Sequence, residues 1–170
     1  APPKSEPQPS AKPARPAIPA RSTADCRRLQ ELKNRAVGAL ENEKLADAEH
    51  ALVELLELEP HDPLGYRNLA VVRLLQLKAN SATAEQAQQA VEQLLRHDDS
   101  SAAKELGGRV GVAAADLQPD ASAREAALTR AVTLLKAASD EDPSNVACNY
   151  AIFEAARYAS SAPLQATAKM

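Results

Sequence analysis

The sequence predicts an all-α fold of antiparallel helical hairpins, and three observations predict it. Apolar residues make up 45% of the 170-residue chain, but aromatic residues only 2%. A core built almost without rings must be filled by Ala, Leu and Val, which suits close-packed helices better than a sandwich or barrel. From Thr23 onward, apolar residues recur at helical spacing between regular turn signals. Alanine also recurs at one fixed distance ahead of the turn residues Pro60, Asp99 and Pro143.

The first 24 residues stand apart. They contain seven of the twelve prolines (Pro2, Pro3, Pro7, Pro9, Pro13, Pro16 and Pro19) and carry Lys4, Lys12, Arg15 and Arg21 against Glu6, in a chain of net charge −3. Proline at this density forbids both helix and ladder pairing. The expectation is an extended basic arm, either a linker or a strap that lies along a partner. An Ala-Pro-Pro start without an initiator methionine looks like the remnant of a cleaved secretory signal, although trimming of a longer chain leaves the same trace. A periplasmic or otherwise exported setting is therefore expected, with a cytoplasmic one as the alternative.

Seven helices and no strand follow. The first covers about Asp25 to Glu41, with Leu29, Leu32, Ala36, Ala39 and Leu40 on one side. The second covers Leu45 to Leu58 around Ala48, Leu52, Leu55 and Leu56. Asp62-Pro63 reads as an N-cap with proline at the first helical position, opening a helix that carries Tyr66, Leu69, Ala70, Val72 and Leu74. Thr83 with Gln86, and Ser122 with Glu125, have capping-box spacing. The remaining helices are expected over Ser101 to Leu117, Ala121 to Ser139 and Asn145 to Ala159, leaving residues 160–170 as a tail or the start of a linker.

An internal repeat organises residues 25–159. Twelve residues before Pro60, Asp99 and Pro143 stand Ala48, Ala87 and Ala131; eight before stand Leu52, Val91 and Leu135; five before stand Leu55, Leu94 and Ala138. A small residue is needed where the two helices of a hairpin touch, and larger ones fill the seam one and two turns later. On these residues the chain resembles the tetratricopeptide-repeat family. The likeness is strongest in the stretch 46–60 (ADAEHALVELLELEP) and in Tyr66, Leu69 and Ala70, which fall where the family places its aromatic and its Leu-Gly pair. The resemblance implies an α-solenoid of three divergent hairpins and a closing helix. The turn spacings of 39 and 44 residues exceed the ~34 of the family. The surplus falls at Lys78 to Ala82 and around Gln118 to Ser122, and Gly107, Gly108 and Gly111 suggest a distorted third hairpin.

The sequence holds little chemistry. His50, His61 and His97 lack metal-ligand spacing and read as surface residues. Asp140, Asp142 and Ser144 imitate the start of a calcium loop, but the required glycine and late glutamate are replaced by Asn145 and Ala151. The glycines at 107–111 lack the Lys-Ser/Thr of a phosphate loop and read as helix-packing glycines or a kink. No nucleophile triad is supported by spacing, so neither an enzyme, a small-molecule substrate nor a cofactor is expected. Net negative charge and scarce rings argue against a nucleic-acid partner, and no apolar run reaches the ~20 residues of a membrane span. Cys26 and Cys148 lie at opposite ends of the repeat, too far apart for a disulfide, and are expected to be free.

What remains is a binding surface. The resemblance implies a concave groove lined by the first helix of each hairpin and receiving a peptide from a partner. Its candidate residues are Lys33, Val37, Arg67, Asn68, Val71, Leu74 and Lys104, with Glu154 and Arg157 on the closing helix. Lys33 and Asn68 fit the carboxylate clamp of some family members. Val37 stands where a second asparagine belongs, and the third hairpin lacks a matching basic pair. The groove is therefore expected to be mixed apolar and basic. The favoured function is a non-catalytic interaction module, a scaffold or accessory subunit of a larger exported assembly. The alternative is the N-terminal recognition module of a larger exported enzyme.

Overall fold

The computed structural model describes residues 22–80 and 82–167, with residues 159–167 as backbone alone. Residues 1–21 of the expected proline-rich arm and the end of the tail therefore lie outside the described residues. Within them the chain is all-helical, with seven α-helices and no strand: α1 (Thr23–Glu41), α2 (Leu45–Leu58), α3 (Pro63–Lys78), α4 (Ala84–His97), α5 (Ser101–Asp116), α6 (Ala121–Glu141) and α7 (Val146–Thr167). No described helix is long and apolar enough to cross a membrane.

Short polar side chains set the starts. Ser22 accepts from the Asp25 N–H at 3.1 Å, so the helix begins at Thr23 and takes up residues assigned from sequence to the arm. Asp62 caps α3 by accepting from the Leu64 N–H at 3.0 Å, with Pro63 in the first turn. Thr83 and Gln86 form the expected reciprocal capping box. The second expected box is absent: Asp120, two residues upstream of Ser122, accepts from the Ala123 N–H at 2.7 Å and leaves Ser122 inside the helix. A carboxylate facing the positive end of the helix outcompetes a hydroxyl.

The ends follow the same chemistry. Glu43 takes a positive φ of 56° after α1, and the bonds from Glu43 N to Leu40 O and from Lys44 N to Ala39 O close a Schellman turn. Asn80 holds the matching place after α3 at φ 55°. The last helix runs to Thr167 rather than ending at Ala159 and takes in Pro163, whose missing N–H costs it one backbone hydrogen bond.

Each helix packs on the next in the chain, and α3 and α7 also touch α5. Three apolar clusters result. Leu29, Leu32 and Ala36 meet Ala48, Leu52 and Leu55 between α1 and α2, with Val72 closing the cluster from α3. Ala70, Leu74 and Leu77 meet Ala87, Val91 and Leu94, and Ala103, Leu106 and Val110 of α5 complete that cluster. Val112 and Ala115, on another side of α5, join Leu128, Ala131, Leu135 and Ala138 of α6 and Cys148, Ala151 and Ala155 of α7. All nine residues of the alanine-based repeat are buried. Both cysteines are free; Cys26 is exposed and Cys148 fully buried.

The glycines of α5 allow its close approach to α6. A Cβ at Gly108 would stand 2.7 Å from Leu135 Cδ2 and 3.0 Å from the Ala131 carbonyl oxygen; one at Gly111 would stand 2.9 Å from the Ala131 Cβ. No glycine has positive φ and α5 is unbroken, so these residues serve packing and make no kink. Gly38 in α1 meets nothing within 4 Å, so only its backbone entropy counts. Gly38→Ala is expected to raise the unfolding free energy by about 0.5–1 kcal/mol. Gly108→Ala is expected to lower it by about 1–3 kcal/mol through overpacking. Urea unfolding followed by circular dichroism measures both, and equal signs for the two variants would contradict the packing described.

Candidate partner-binding surface

Three of the nine residues expected to line a groove are instead held by acidic groups of the same chain. The Lys33 ammonium of α1 lies 3.0 Å from Asp62 and 3.7 Å from Glu59, in the turn that ends the first hairpin. Arg67 of α3 reaches Asp98 at 2.8 Å and donates to the Ser100 hydroxyl at 3.3 Å, in the turn after α4. Lys104 of α5 pairs with Asp99 at 3.1 Å and with Glu141 at the end of α6. Glu141, then Asp99, hold the Lys104 ammonium above its usual pKa. In each hairpin, then, a cation on the first helix fastens an acid at the hairpin's end. The resemblance implied that these first-helix cations face a partner, but pairing depends on where the turns fold back, which periodicity does not encode.

The other candidates divide. Leu74 is 6% exposed inside the α3–α4–α5 cluster, a correction to its place on the groove; its side of α3 faces α4. Val71 is half-buried against the same cluster. Asn68 and Glu154 are half-buried, while Val37 and Arg157 are exposed.

The histidines are less uniform than expected. His61 is exposed, but His97 is half-buried and stacks on Tyr66, with ring centroids 4.2 Å apart and planes 7° from parallel. Tyr66 in turn donates to the Pro60 carbonyl at 3.1 Å. These contacts tie the end of α4 to the turn before α3. No group of three or more His, Cys, Asp or Glu among the described residues could hold a metal.

An apolar opening lies elsewhere. α5 packs against both α4 and α6, and where these two helices part they leave a half-open groove of about 400 Å³. Val91 and Leu95 of α4 and Leu134 of α6 form its walls, and Gly107, Val110, Gly111 and Ala114 of α5 its floor. Gln88, Glu92, Thr129, Arg130 and Thr133 supply a polar rim. An apolar floor with a few polar groups at the edge is the usual form of a ligand or peptide cleft. Sequence reasoning missed it. The glycine run was the available signal: Gly107, facing Val91 Cγ1 at 3.1 Å from where its Cβ would be, keeps the floor low.

The junction at Arg67 has a definite pH response. Hydrogen bonds from Ser100, then the Arg67 guanidinium, hold the Asp98 carboxyl below the usual carboxylate range against its partial burial. A carboxyl depressed in the folded state stabilises above its unfolded pKa of about 3.9, and that contribution fades as pH falls through the lower folded value. Asp98→Asn is expected to cost about 1 kcal/mol at pH 7 and to flatten the fall in stability below about pH 4. Urea unfolding from pH 3 to 7 checks this; an unchanged acid slope would exclude Asp98 as its source.

Against known proteins, the chain matches no family model and no curated protein.

Proposed function

We propose that this chain is a tetratricopeptide-like array of three helical hairpins followed by an extra first helix, and that it serves as a non-catalytic protein-interaction module within a larger assembly. The observation that carries the reading is the recurrence of one fastening in all three hairpins. Lys33, Arg67 and Lys104, each on a first helix, bind acids at the close of their own hairpins, and Ala48, Ala87 and Ala131 are buried on the second helices. Recurring units that contact their neighbours in this way form extended surfaces rather than enclosed reaction chambers. Because the first-helix cations are occupied, the partner's contact is assigned to the α4–α5–α6 groove, which takes apolar side chains presented at helical spacing.

Photo-cross-linking tests the assignment. Benzoylphenylalanine replaces Thr133 on the exposed groove rim or, separately, Val37 on the exposed face of α1, in cells of the native source. The expected result is a protein trapped at Thr133. Binding of that purified protein should weaken at least tenfold with Gln88→Arg/Thr133→Arg, at unchanged helix content. Trapping at Val37 alone would move the site to the first-helix face. No trapping at either position would remove the interaction reading.

A further inference from the structure

The two walls of the α4–α5–α6 groove carry opposite charges. Short turns on both sides of α5 make α4 and α6 run parallel to each other and antiparallel to α5. A Cβ on Gly107 would lie 3.5 Å from Leu134 Cδ1 and 3.9 Å from Leu95 Cδ1, so these leucines flank the floor at one level. One turn back toward the start of each helix, Glu92 stands on the α4 wall and Arg130 on the α6 wall. Both are exposed. Among the described residues neither forms an ion pair, and Glu92 accepts only a long hydrogen bond of 3.4 Å from the Gln88 amide.

The floor between them is apolar and short. From Gly107 to Ala114 it spans two turns of α5, about 10 Å at 1.5 Å per residue. An occupant therefore has to meet an acid on one side, a base on the other and apolar side chains between. A polyanion would be attracted by Arg130 and repelled by Glu92. The chain's own residues 1–21 carry four cations against one acid, with Ile18 as their single large aliphatic side chain. They match neither the Arg130 wall nor the apolar floor.

An amphipathic helix of two or more turns meets all three surfaces. Its apolar residues at i, i+4 and i+7 lie on the floor, with a base on one flank and an acid on the other. Turned end for end, the same helix would set like charges together, so the two walls also fix its direction. We propose that the groove receives such a helix from a partner protein, its carboxylate against Arg130 and its cation against Glu92. This rests on the groove being the partner's contact, and adds the chemistry and polarity of what enters.

The protein trapped at Thr133 supplies the probe. Mass spectrometry of the cross-link identifies the segment, and a synthetic peptide of it is titrated against the whole chain by fluorescence anisotropy. Glu92→Arg and Arg130→Glu should each raise Kd about threefold, and together about tenfold, since charge reversal at a rim turns attraction into repulsion. Far-UV dichroism should not change, because both side chains are exposed. A peptide with its flanking acid and base exchanged should regain binding to the doubly reversed chain. Three results overturn the proposal while leaving the groove as a contact: a segment without acid and base on opposite flanks, a Kd indifferent to both single reversals, or binding of the original peptide restored by the double reversal. Trapping of a second copy, or of residues 1–21, overturns it as well. Absence of trapping at Thr133 removes the groove assignment itself and this proposal with it.

Discussion

Helix separation is the constraint on which the rest of this structure depends. With so few rings, the chain cannot fill wide gaps, so its helices must approach until Ala, Leu and Val close the space between them. Ala48, Ala87 and Ala131 permit that approach on the second helices, and Gly108 and Gly111 permit it on α5. The α5–α6 contact is the extreme case, where glycine meets the backbone and Cβ of Ala131. The groove is the other side of the same economy. Where α4 and α6 part over α5, no bulky side chain is at hand to fill the opening.

Polar contacts then fix how one hairpin meets the next. Most of the ion pairs are partly solvated and individually weak. The pairs at hairpin ends differ in kind, because each joins a helix to a turn far away in sequence. Asp62 is only 7% exposed and both caps α3 and receives Lys33, so one carboxylate serves local and tertiary structure together. Arg73, Gln76 and Glu49 form a second such junction between α2 and α3 around a buried amide. These groups orient hairpins that the apolar clusters hold together.

Much of the fold was legible because its determinants are local. Apolar periodicity located all seven helices, and Asp62-Pro63 and Thr83–Gln86 marked two starts to the residue. Errors arose where two local signals competed, as between Asp120 and Ser122, or where a stop was inferred without a residue to impose it, as at Ala159. The candidate surface was far less legible. Lys33, Arg67 and Lys104 are charged and aligned whether they face a partner or a turn of their own chain, and only the tertiary path separates those cases. Leu74 failed for a related reason: helical spacing places it on a side but does not say which neighbour covers that side.

The two thiols give the molecule an internal clock. Cys26 lies in the first turns of α1, open to solvent, whereas Cys148 is sealed at the root of α7 against α6, where burial raises its pKa and suppresses the reactive thiolate. A thiol reagent therefore meets one cysteine at once and the other only when α7 lifts away. The ratio of the two modification rates measures how often the cluster around Cys148 opens, whether by detachment of the terminal helix or by wider unfolding. The comparison is made within a single unlabelled chain, with the reference at one end and the reporter at the other.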